Sequence, residues 1–186
     1  DAKKVAEGIL ARLSGTAGVS VDATGSINAG AVAASNGDVI LESVADVTTA
    51  SITAQMGGVI NVDSTGGGNL DLGDITSTGG GRVDFDTAGT LTLGDVDIES
   101  DLRIGRTNNP SALTLDGDIT ALSFVYETAN AFVSQGITTT DGRIDIDAAS
   151  IDTNGGNLNA TNGRVDLVAD GAISTGSITS TGTGSR

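Results

Sequence analysis

The stretch VDFDTAGTLTLGDVDIESDLRI, residues 83–104, contains one complete unit of a pattern that runs through most of the chain. It begins with the apolar pair Val83 and Phe85, continues through the apolar residues Leu91 and Val96, and ends on the next apolar pair. Two apolar residues separated by one polar residue are typical of a β-strand, because successive side chains point to opposite faces. The unit therefore predicts three short strands followed by a return to the first.

The same three anchors recur on both sides of this stretch at intervals of 18 to 23 residues. The first set comprises the pairs Val19/Val21, Val39/Leu41, Ile60/Val62, Val83/Phe85, Leu102/Ile104, Leu122/Phe124, Ile144/Ile146 and Val165/Leu167. The second set comprises Ile27, Val47, Leu70, Leu91, Leu113, Phe132, Ile151 and Ile173. The third set comprises Val32, Ile52, Ile75, Val96, Ile119, Ile137, Leu158 and Ile178. A repeat of this kind indicates a solenoid, in which each unit buries its apolar side chains against its neighbours.

We therefore predict an all-β fold over residues 16–186, a right-handed parallel β-helix with three strands per coil and about eight coils of ~21 residues. The segments between anchors support this, because they contain Gly, Asp and Asn at NGD (36–38), GGGR (79–82), DGR (141–143) and NGR (162–164). Glycine at a corner lets the chain turn without a side-chain clash. At a strand spacing of ~4.8 Å, the coils form a rod of roughly 40 Å.

The first residues have a different pattern. In DAKKVAEGILARLS, residues 1–14, the apolar residues Val5, Ile9, Leu10 and Leu13 fall on one helical face. We predict a short amphipathic capping α-helix over residues 1–15 that covers the open end of the β-helix, as solenoid ends usually require. The alternative interpretation is the remnant of a preceding element.

Composition argues against most chemistry. The chain has 24 acidic and 9 basic residues, a net charge of −15, which disfavours nucleic acid and anionic membranes as partners. It has no His and no Cys, so catalysis with a His base, disulfides and thiolate zinc sites are excluded. No stretch approaches the ~18 apolar residues of a membrane span. We expect no enzymatic activity, no cofactor and no membrane insertion.

Two segments carry a family resemblance. GGNLDLGDITSTGGGRVDFDTAGTLTLGDVDI (67–98) and NGRVDLVADGAISTGSITSTG (162–182) resemble the repeat regions of filamentous haemagglutinin-like large exoproteins, which are bacterial adhesins secreted by the two-partner route. The resemblance covers roughly residues 19–182 and implies a long β-helical shaft. It further implies a structural or adhesive role in a secreted bacterial surface protein or fibre, with a host or cell-surface receptor as the expected partner.

A row of threonines is the first candidate site. The residue after each third anchor is in turn Ala33, Thr53, Thr76, Asp97, Thr120, Thr138, Asn159 and Thr179, and further threonines follow two positions later at Thr78, Thr140, Thr161 and Thr181. We consider a surface ladder formed by Thr53, Thr76, Thr120, Thr138 and Thr179. Flat rows of threonine can order water, which makes ice binding an alternative function. The preference of threonine for exposed strand positions explains the same row without a function.

Charged residues form the second candidate. The residues between the paired anchors should face outward, and these are Ser20, Ile40, Asn61, Asp84, Arg103, Ser123, Asp145 and Asp166. Arg82, Arg143 and Arg164 each precede an Asp by two positions, which predicts charge pairs that offset like-charge stacking. Asp clusters with an Arg base, as in pectin-cleaving β-helices, are the alternative. The segments 66–74 and 155–163 match the calcium-binding nonapeptide repeat only partly, so we expect at most weak Ca²⁺ association.

One irregular unit and the last residues complete the pattern. Residues 122–136 contain Phe124, Tyr126 and Phe132, and we expect both Phe side chains to fill the core. Tyr126 is either an exposed contact or bulky filler of a wider coil. The final segment, residues 177–186, shows no cap, so we expect either a continuing chain or end-to-end self-association.

Overall fold

A computed structural model describes residues 8–139 and 141–181. Within these ranges the chain forms 22 β-strands and no helix. The first eleven strands are β1 (Gly8–Gly15), β2 (Gly18–Ala23), β3 (Ile27–Ala34), β4 (Asp38–Ser43), β5 (Val47–Ala54), β6 (Ile60–Ser64), β7 (Leu70–Ser77), β8 (Val83–Thr87), β9 (Thr90–Leu93), β10 (Val96–Ile98) and β11 (Asp101–Ile104). The remaining strands are β12 (Ala112–Leu115), β13 (Asp118–Ala121), β14 (Ser123–Glu127), β15 (Ala131–Val133), β16 (Gly136–Thr139), β17 (Ile144–Ala148), β18 (Ser150–Asp152), β19 (Leu158–Ala160), β20 (Val165–Ala169), β21 (Ile173–Ser174) and β22 (Ile178–Ser180).

The strands stack as a parallel β-solenoid of about eight turns with a spacing of about 21 residues. One sheet, which we name the first face, has the strand order β2-β4-β6-β8-β11-β14-β17-β20. Each of these eight strands begins one coil, and we number the coils 1 to 8 in that order. The stacking of short parallel strands directs the backbone hydrogen bonds along the axis of the solenoid.

The second and third faces belong to a single 14-stranded sheet. In the first coils each of the strands β3, β5 and β7 bends and supplies both faces. From coil 4 onward the two faces have separate strands, because β7 pairs with β9 through Leu70 and Leu72 and with β10 through Ile75. The second face then continues through β12, β15, β18 and β21, and the third face through β13, β16, β19 and β22. Three strands per coil, as predicted, therefore hold for the later coils, and in the early coils two of the three are fused.

The predicted anchors align. Every residue of the second set pairs with the next member of that set, from Ile27 with Val47 through to Ile151 with Ile173. The third set aligns in the same way from Val32 to Ile178. In coils 1 to 7 these residues are buried together with the paired anchors in one continuous core. The apolar repeat therefore predicted the register of the solenoid, because each inward position must be filled by an apolar side chain.

Coil 6 is the exception in the first set. Leu102 pairs with Phe124, so the buried pair is Phe124 and Tyr126, and the predicted pair Leu122/Phe124 is wrong by two residues. Leu122 is 36% exposed, whereas Tyr126 is 1% exposed. Tyr126 is therefore core filler and not an exposed contact. The reason is volume: the rings of Phe124 and Tyr126 lie 5.9 and 5.8 Å from that of Phe132, and such a cluster excludes water from more apolar surface than Leu122 would.

The predicted capping helix is wrong over residues 8–15, which form strand β1, and residues 1–7 lie outside the described part of the chain. Strand β1 pairs in parallel with β3 and aligns Leu10 with Ala29 and Leu13 with Val32. Ala29 and Val32 both face the core, one on each side of a bend in β3. Residues three apart also lie on one face of a helix, so the apolar pattern of a bent strand resembles that of an amphipathic helix. A strand satisfies the exposed edge of β3 with backbone hydrogen bonds, which a helix cannot do.

Stacked glycines form the corner before the first-face strand in coils 2, 3, 4, 7 and 8, as predicted for residues 36–38, 79–82, 141–143 and 162–164, whereas Ser100 precedes the strand in coil 5 and Leu122 in coil 6. Gly37, Gly58 and Gly81 lie above one another in consecutive coils, and Gly142 and Gly163 occupy the same corner later. A Cβ atom at Gly58 would overlap the carbonyl group of Gly37, and one at Gly81 would overlap that of Gly58. At Gly58 and Gly81 the absence of a Cβ atom therefore allows the coils to approach to strand spacing at this corner.

The opposite end of the first face uses buried hydroxyl groups. The Ser64 hydroxyl donates to the Ala45 carbonyl at 2.9 Å and accepts from the Gly68 amide at 2.8 Å. Thr87 occupies the next position of the same row and accepts from the Gly89 amide at 2.9 Å. These inward hydroxyls satisfy the backbone groups of a tight corner where the strand ladder is interrupted.

No helix that could cross a membrane occurs in the described part of the chain.

Candidate functional site

The threonine row lies on the third face in the order that the sequence predicts. Thr53 pairs with Thr76, and Thr120 pairs with Thr138, so each pair is in register in neighbouring coils. Between the two pairs, Asp97 pairs with both Thr76 and Thr120. The threonines are therefore aligned in the strand register, but the carboxylate of Asp97 divides the row into two short parts.

The end of the row is less regular still. Asn159 separates Thr138 from Thr179 in the register of the strands. Thr140, which was expected to belong to a second row of threonines, lies outside the described residues. The side chains of Thr53, Thr76, Thr120 and Thr138 are only half exposed. The described residues therefore form short threonine patches, without a broad array of equivalent hydroxyl groups.

The charge pairs predicted along the first face are confirmed. The Arg143 guanidinium lies 3.0 Å from the Asp145 carboxylate, the Arg164 guanidinium lies 2.6 Å from the Asp166 carboxylate, and Arg82 contacts Asp84. In each case the arginine stands just before a strand and the aspartate within it, on the outer side. Every arginine whose side chain the structure describes has an aspartate within 4.0 Å. The pairs reduce the repulsion between stacked carboxylates of this acidic chain.

Asp84 differs from its neighbours because it is only 4% exposed. It contacts Arg82 and lies 4.0 Å from Arg106, and neither carboxylate oxygen has another hydrogen-bond partner among the described residues. A solvated outward position was expected for this residue. The corner segment that contains Arg106 lies over it, and a buried carboxylate of this kind needs a cation to offset its desolvation.

A row of four carboxylates also lies on the first face, and the sequence analysis did not identify it. Asp22 pairs with Glu42, Glu42 with Asp63, and Asp63 with Asp86, so one outward row contains an acid in four consecutive coils. Burial, together with the negative charges of Asp86 and Glu42, raises the pKa of Asp63 above its ordinary value of 3.8. Each of these acids stands three residues after the first residue of its apolar pair, so the row is visible in the sequence when the repeats are aligned.

A depression lined by several charged side chains lies on the first face in coils 5 to 7. We name it the first-face groove, and it is a cavity of 650 Å³ lined by residues 101–106, Asn109, Ser123, Val125, Glu127 and Arg143. Three arginines, Arg103, Arg106 and Arg143, line this one cavity. Val125, which is 38% exposed, takes the position in the row that the prediction assigned to Ser123, because the register of coil 6 is shifted by two residues.

The wall of the groove is formed by the corner segment 105–111. Its backbone is held from the coil below, where the Asp86 carboxylate accepts hydrogen bonds from the Thr107 amide at 3.0 Å and the Asn108 amide at 2.6 Å. It is held from the coil above by the Asn130 side chain, which donates to the Pro110 carbonyl at 3.1 Å. The segment therefore presents Arg106 and Asn109 from a backbone that is fixed on both sides.

No site of other kinds emerges from the described residues. Among them, no group of three or more acidic side chains is arranged to hold a metal ion, and association of Ca²⁺ with the acidic surface stays a prediction. The arginines of the first-face groove were visible in the sequence, but Arg106 lies in a corner that the strand pattern leaves unassigned. Comparisons of the chain with protein-family models, with curated proteins and with solved structures find no match.

Proposed function

We propose that the chain is a structural and adhesive shaft segment of a secreted bacterial surface protein or fibre, located outside the cell, and that it performs no catalysis. The observation that carries this proposal is the alignment of three apolar columns over the coils, which makes one continuous core. A solenoid of this kind is stiff, because every coil is hydrogen-bonded and packed to its neighbours. The resemblance to filamentous haemagglutinin-like repeats supports the same role.

Stiffness is the property to measure. Small-angle X-ray scattering of the isolated chain should give a rod whose cross-section matches one coil, and the rod should resist proteases under native conditions. A compact particle, or rapid proteolysis within the region of coils 2 to 7, would contradict a shaft. For the adhesive part, immobilised chain should retain intact host or bacterial cells better than a scrambled-sequence control.

Ice binding is the second candidate, and the observation in its favour is the in-register contact of Thr53 with Thr76 and of Thr120 with Thr138. Asp97 interrupts the face, so we rank it below the shaft. Thermal hysteresis of a concentrated solution decides between them. Its presence, together with its loss in Thr76→Lys and not in a substitution on the first face, would favour ice binding.

End-to-end self-association is the third candidate. In coil 8 the apolar residues Ile173 and Ile178 are 47% and 52% exposed, and β20, β21 and β22 each pair on one side only in the described chain. A second copy could cover these edges and the apolar side chains between them. Light scattering tests this: a concentration-dependent increase in mass that Ile178→Lys abolishes would support filament formation, and a constant monomer mass would exclude it.

A further inference from the structure

We propose that the first-face groove binds an oligosaccharide that carries separated carboxylate groups, with Arg103 and Arg106 as the residues that hold a carboxylate. This inference goes beyond the shaft function and does not depend on it. It rests on the way the arginines of the first face are paired, on the fixed wall of the groove, and on the mixed chemistry of its lining.

The ion pairs of the first face differ in length. Arg82, Arg143 and Arg164 contact their aspartates at 3.0 Å or less. Arg103 lies 3.7 Å from Asp101, and Arg106 lies 4.0 Å from Asp84, so the two loosest pairs are both in the groove. Arg103 and Asp101 form a loose, exposed pair, which contributes little to stability and leaves the Arg103 guanidinium free to donate to a ligand. Asp84 is buried, but Arg82 is its close partner, so the exposed guanidinium of Arg106 is also available to a ligand.

Asp101 explains why Arg103 is loosely held. The Ser123 hydroxyl donates to the Asp101 carboxylate at 2.5 Å, which directs that carboxylate to the neighbouring coil. Along its row Arg103 lies between Asp84, whose close partner is Arg82, and Val125, which has no charge with which to pair. A guanidinium has a planar set of donors that matches a carboxylate, and this geometry favours a carboxylate-bearing ligand.

The backbone of the first-face groove is fixed before any ligand binds. The segment that carries Arg106 and Asn109 is hydrogen-bonded to Asp86 in coil 4 and to Asn130 in coil 6. Arg103 projects from strand β11 of the first face. Binding therefore orders few groups that are not already ordered, which lowers the entropic cost of association.

The lining of the first-face groove indicates the kind of ligand. Besides the arginines, the groove contains the carboxylates of Asp101 and Glu127 and the amide of Asn109. The carboxylates and the amide oxygen accept hydrogen bonds from hydroxyl groups, and the carboxylates repel a densely charged polyanion. A hydroxyl-rich chain with a carboxylate on every second unit satisfies both the arginines and their acidic neighbours, whereas an acidic peptide meets repulsion at Glu127.

Titration calorimetry with three probes tests the proposal on the whole chain. The probes are an oligosaccharide of alternating glucuronic acid and N-acetylglucosamine, the same oligosaccharide with its carboxyl groups reduced to alcohols, and poly-glutamate of similar length. We expect binding of the first probe, weakened about tenfold by Arg103→Gln or by Arg106→Gln, which is the loss of one charge-assisted hydrogen bond. Arg164→Gln, on the same face outside the groove, should leave the affinity unchanged.

Comparison of the reduced with the carboxylated oligosaccharide tests the role of the carboxylate on the wild-type chain. It should bind about tenfold more weakly than the carboxylated form, and Arg103→Gln should not weaken it further. Equal binding of the two oligosaccharides, or no binding of either at millimolar concentration, would overturn the proposal. Tighter, Arg103-dependent binding of poly-glutamate would show a peptide site instead. Unchanged thermal unfolding of each variant confirms that the solenoid is intact, and the shaft function is judged separately by solution scattering.

Discussion

The ring of Tyr126 lies 5.8 Å from that of Phe132 at an interplanar angle of 46°, inside the core of coil 6. The Tyr126 hydroxyl is buried and makes no well-formed hydrogen bond with the described residues. Desolvation raises the pKa of the Tyr126 phenol above its ordinary value of 10.0, and the nearby Thr128 side chain opposes part of this rise. The ring therefore stabilises the coil, whereas the hydroxyl contributes little.

Removing the ring and removing the hydroxyl should consequently have different effects. We expect Tyr126→Ala to lower the free energy of unfolding by about 3–5 kcal/mol, the usual cost of deleting a buried aromatic side chain. Tyr126→Phe should change it by less than about 1 kcal/mol, because no well-formed hydrogen bond is lost. Chemical denaturation measures both, and Val125→Ala, at the neighbouring outward position, is the control. A large loss in Tyr126→Phe would show that the hydroxyl is bonded.

The raised pKa of Tyr126 also predicts a pH dependence. Above pH 10 the folded state retains the phenolic proton that the unfolded state releases, so the stability of the wild-type chain should fall as the pH rises through this range. Tyr126→Phe should remove this part of the alkaline loss. Thermal unfolding of both proteins at a series of alkaline pH values makes the comparison, and parallel curves would contradict it.

The protonation of Asp63 should likewise make the stability of the fold depend on pH, in the acid range. Its pKa is raised by burial and by the carboxylates of Asp86 and Glu42, so the folded state holds a proton that the unfolded state has lost just above pH 3.8. The stability contribution of this residue therefore decreases as the pH rises through that window. We expect Asp63→Asn to raise the unfolding temperature at pH 7 and to have little effect below pH 3.8.

The control for Asp63 is Asp22→Asn at the end of the same row, where Glu42 is the neighbour in the strand register. It should raise the unfolding temperature less than Asp63→Asn, because fewer carboxylates act on it. An equal rise in both variants would mean that total charge, and not the central position in the row, determines the effect.

The glycine corner predicts a steric effect. Gly58→Ala should destabilise the fold by about 1–3 kcal/mol, because its Cβ would overlap the Gly37 carbonyl and force two coils apart. Gly25→Ala is the matched control, since a Cβ there meets no atom within 4 Å. The control should be neutral, or stabilising by up to about 1 kcal/mol through the unfolded state. Denaturant unfolding measures both variants, and equal effects would show that the corner can relax.

The hydroxyl of Ser64 predicts a polar effect at the opposite end of the first face. Ser64→Ala leaves the Ala45 carbonyl and the Gly68 amide without their buried partner, at a cost of about 1–3 kcal/mol. Ser64→Thr should cost less, because Thr87 makes the equivalent hydrogen bond in the next coil. If both variants lose the same stability, packing of the side chain and not its hydroxyl is the cause.

Much of the solenoid follows from short-range pattern. The positions of Ile27, Val32 and their equivalents were predictable, because an inward position in every coil must be apolar and the corners between them must turn. The pairing of Arg143 with Asp145 followed in the same way, since residues two apart in a strand lie on one side of it. Such statements need only the periodicity of a strand.

The sequence by itself therefore determined the fold class, the spacing of the coils and most of the register. Tertiary structure decided what periodicity leaves open: Tyr126 joins Phe124 in the core instead of Leu122, and residues 8–15 form a strand because β3 offers an unpaired edge. It also decided the first-face groove, where Arg103 and Arg106 meet only because a corner segment is fixed between two coils. The physical reason is common to all three, since each depends on the volume or the hydrogen-bonding groups of a neighbouring coil, which are distant in the chain.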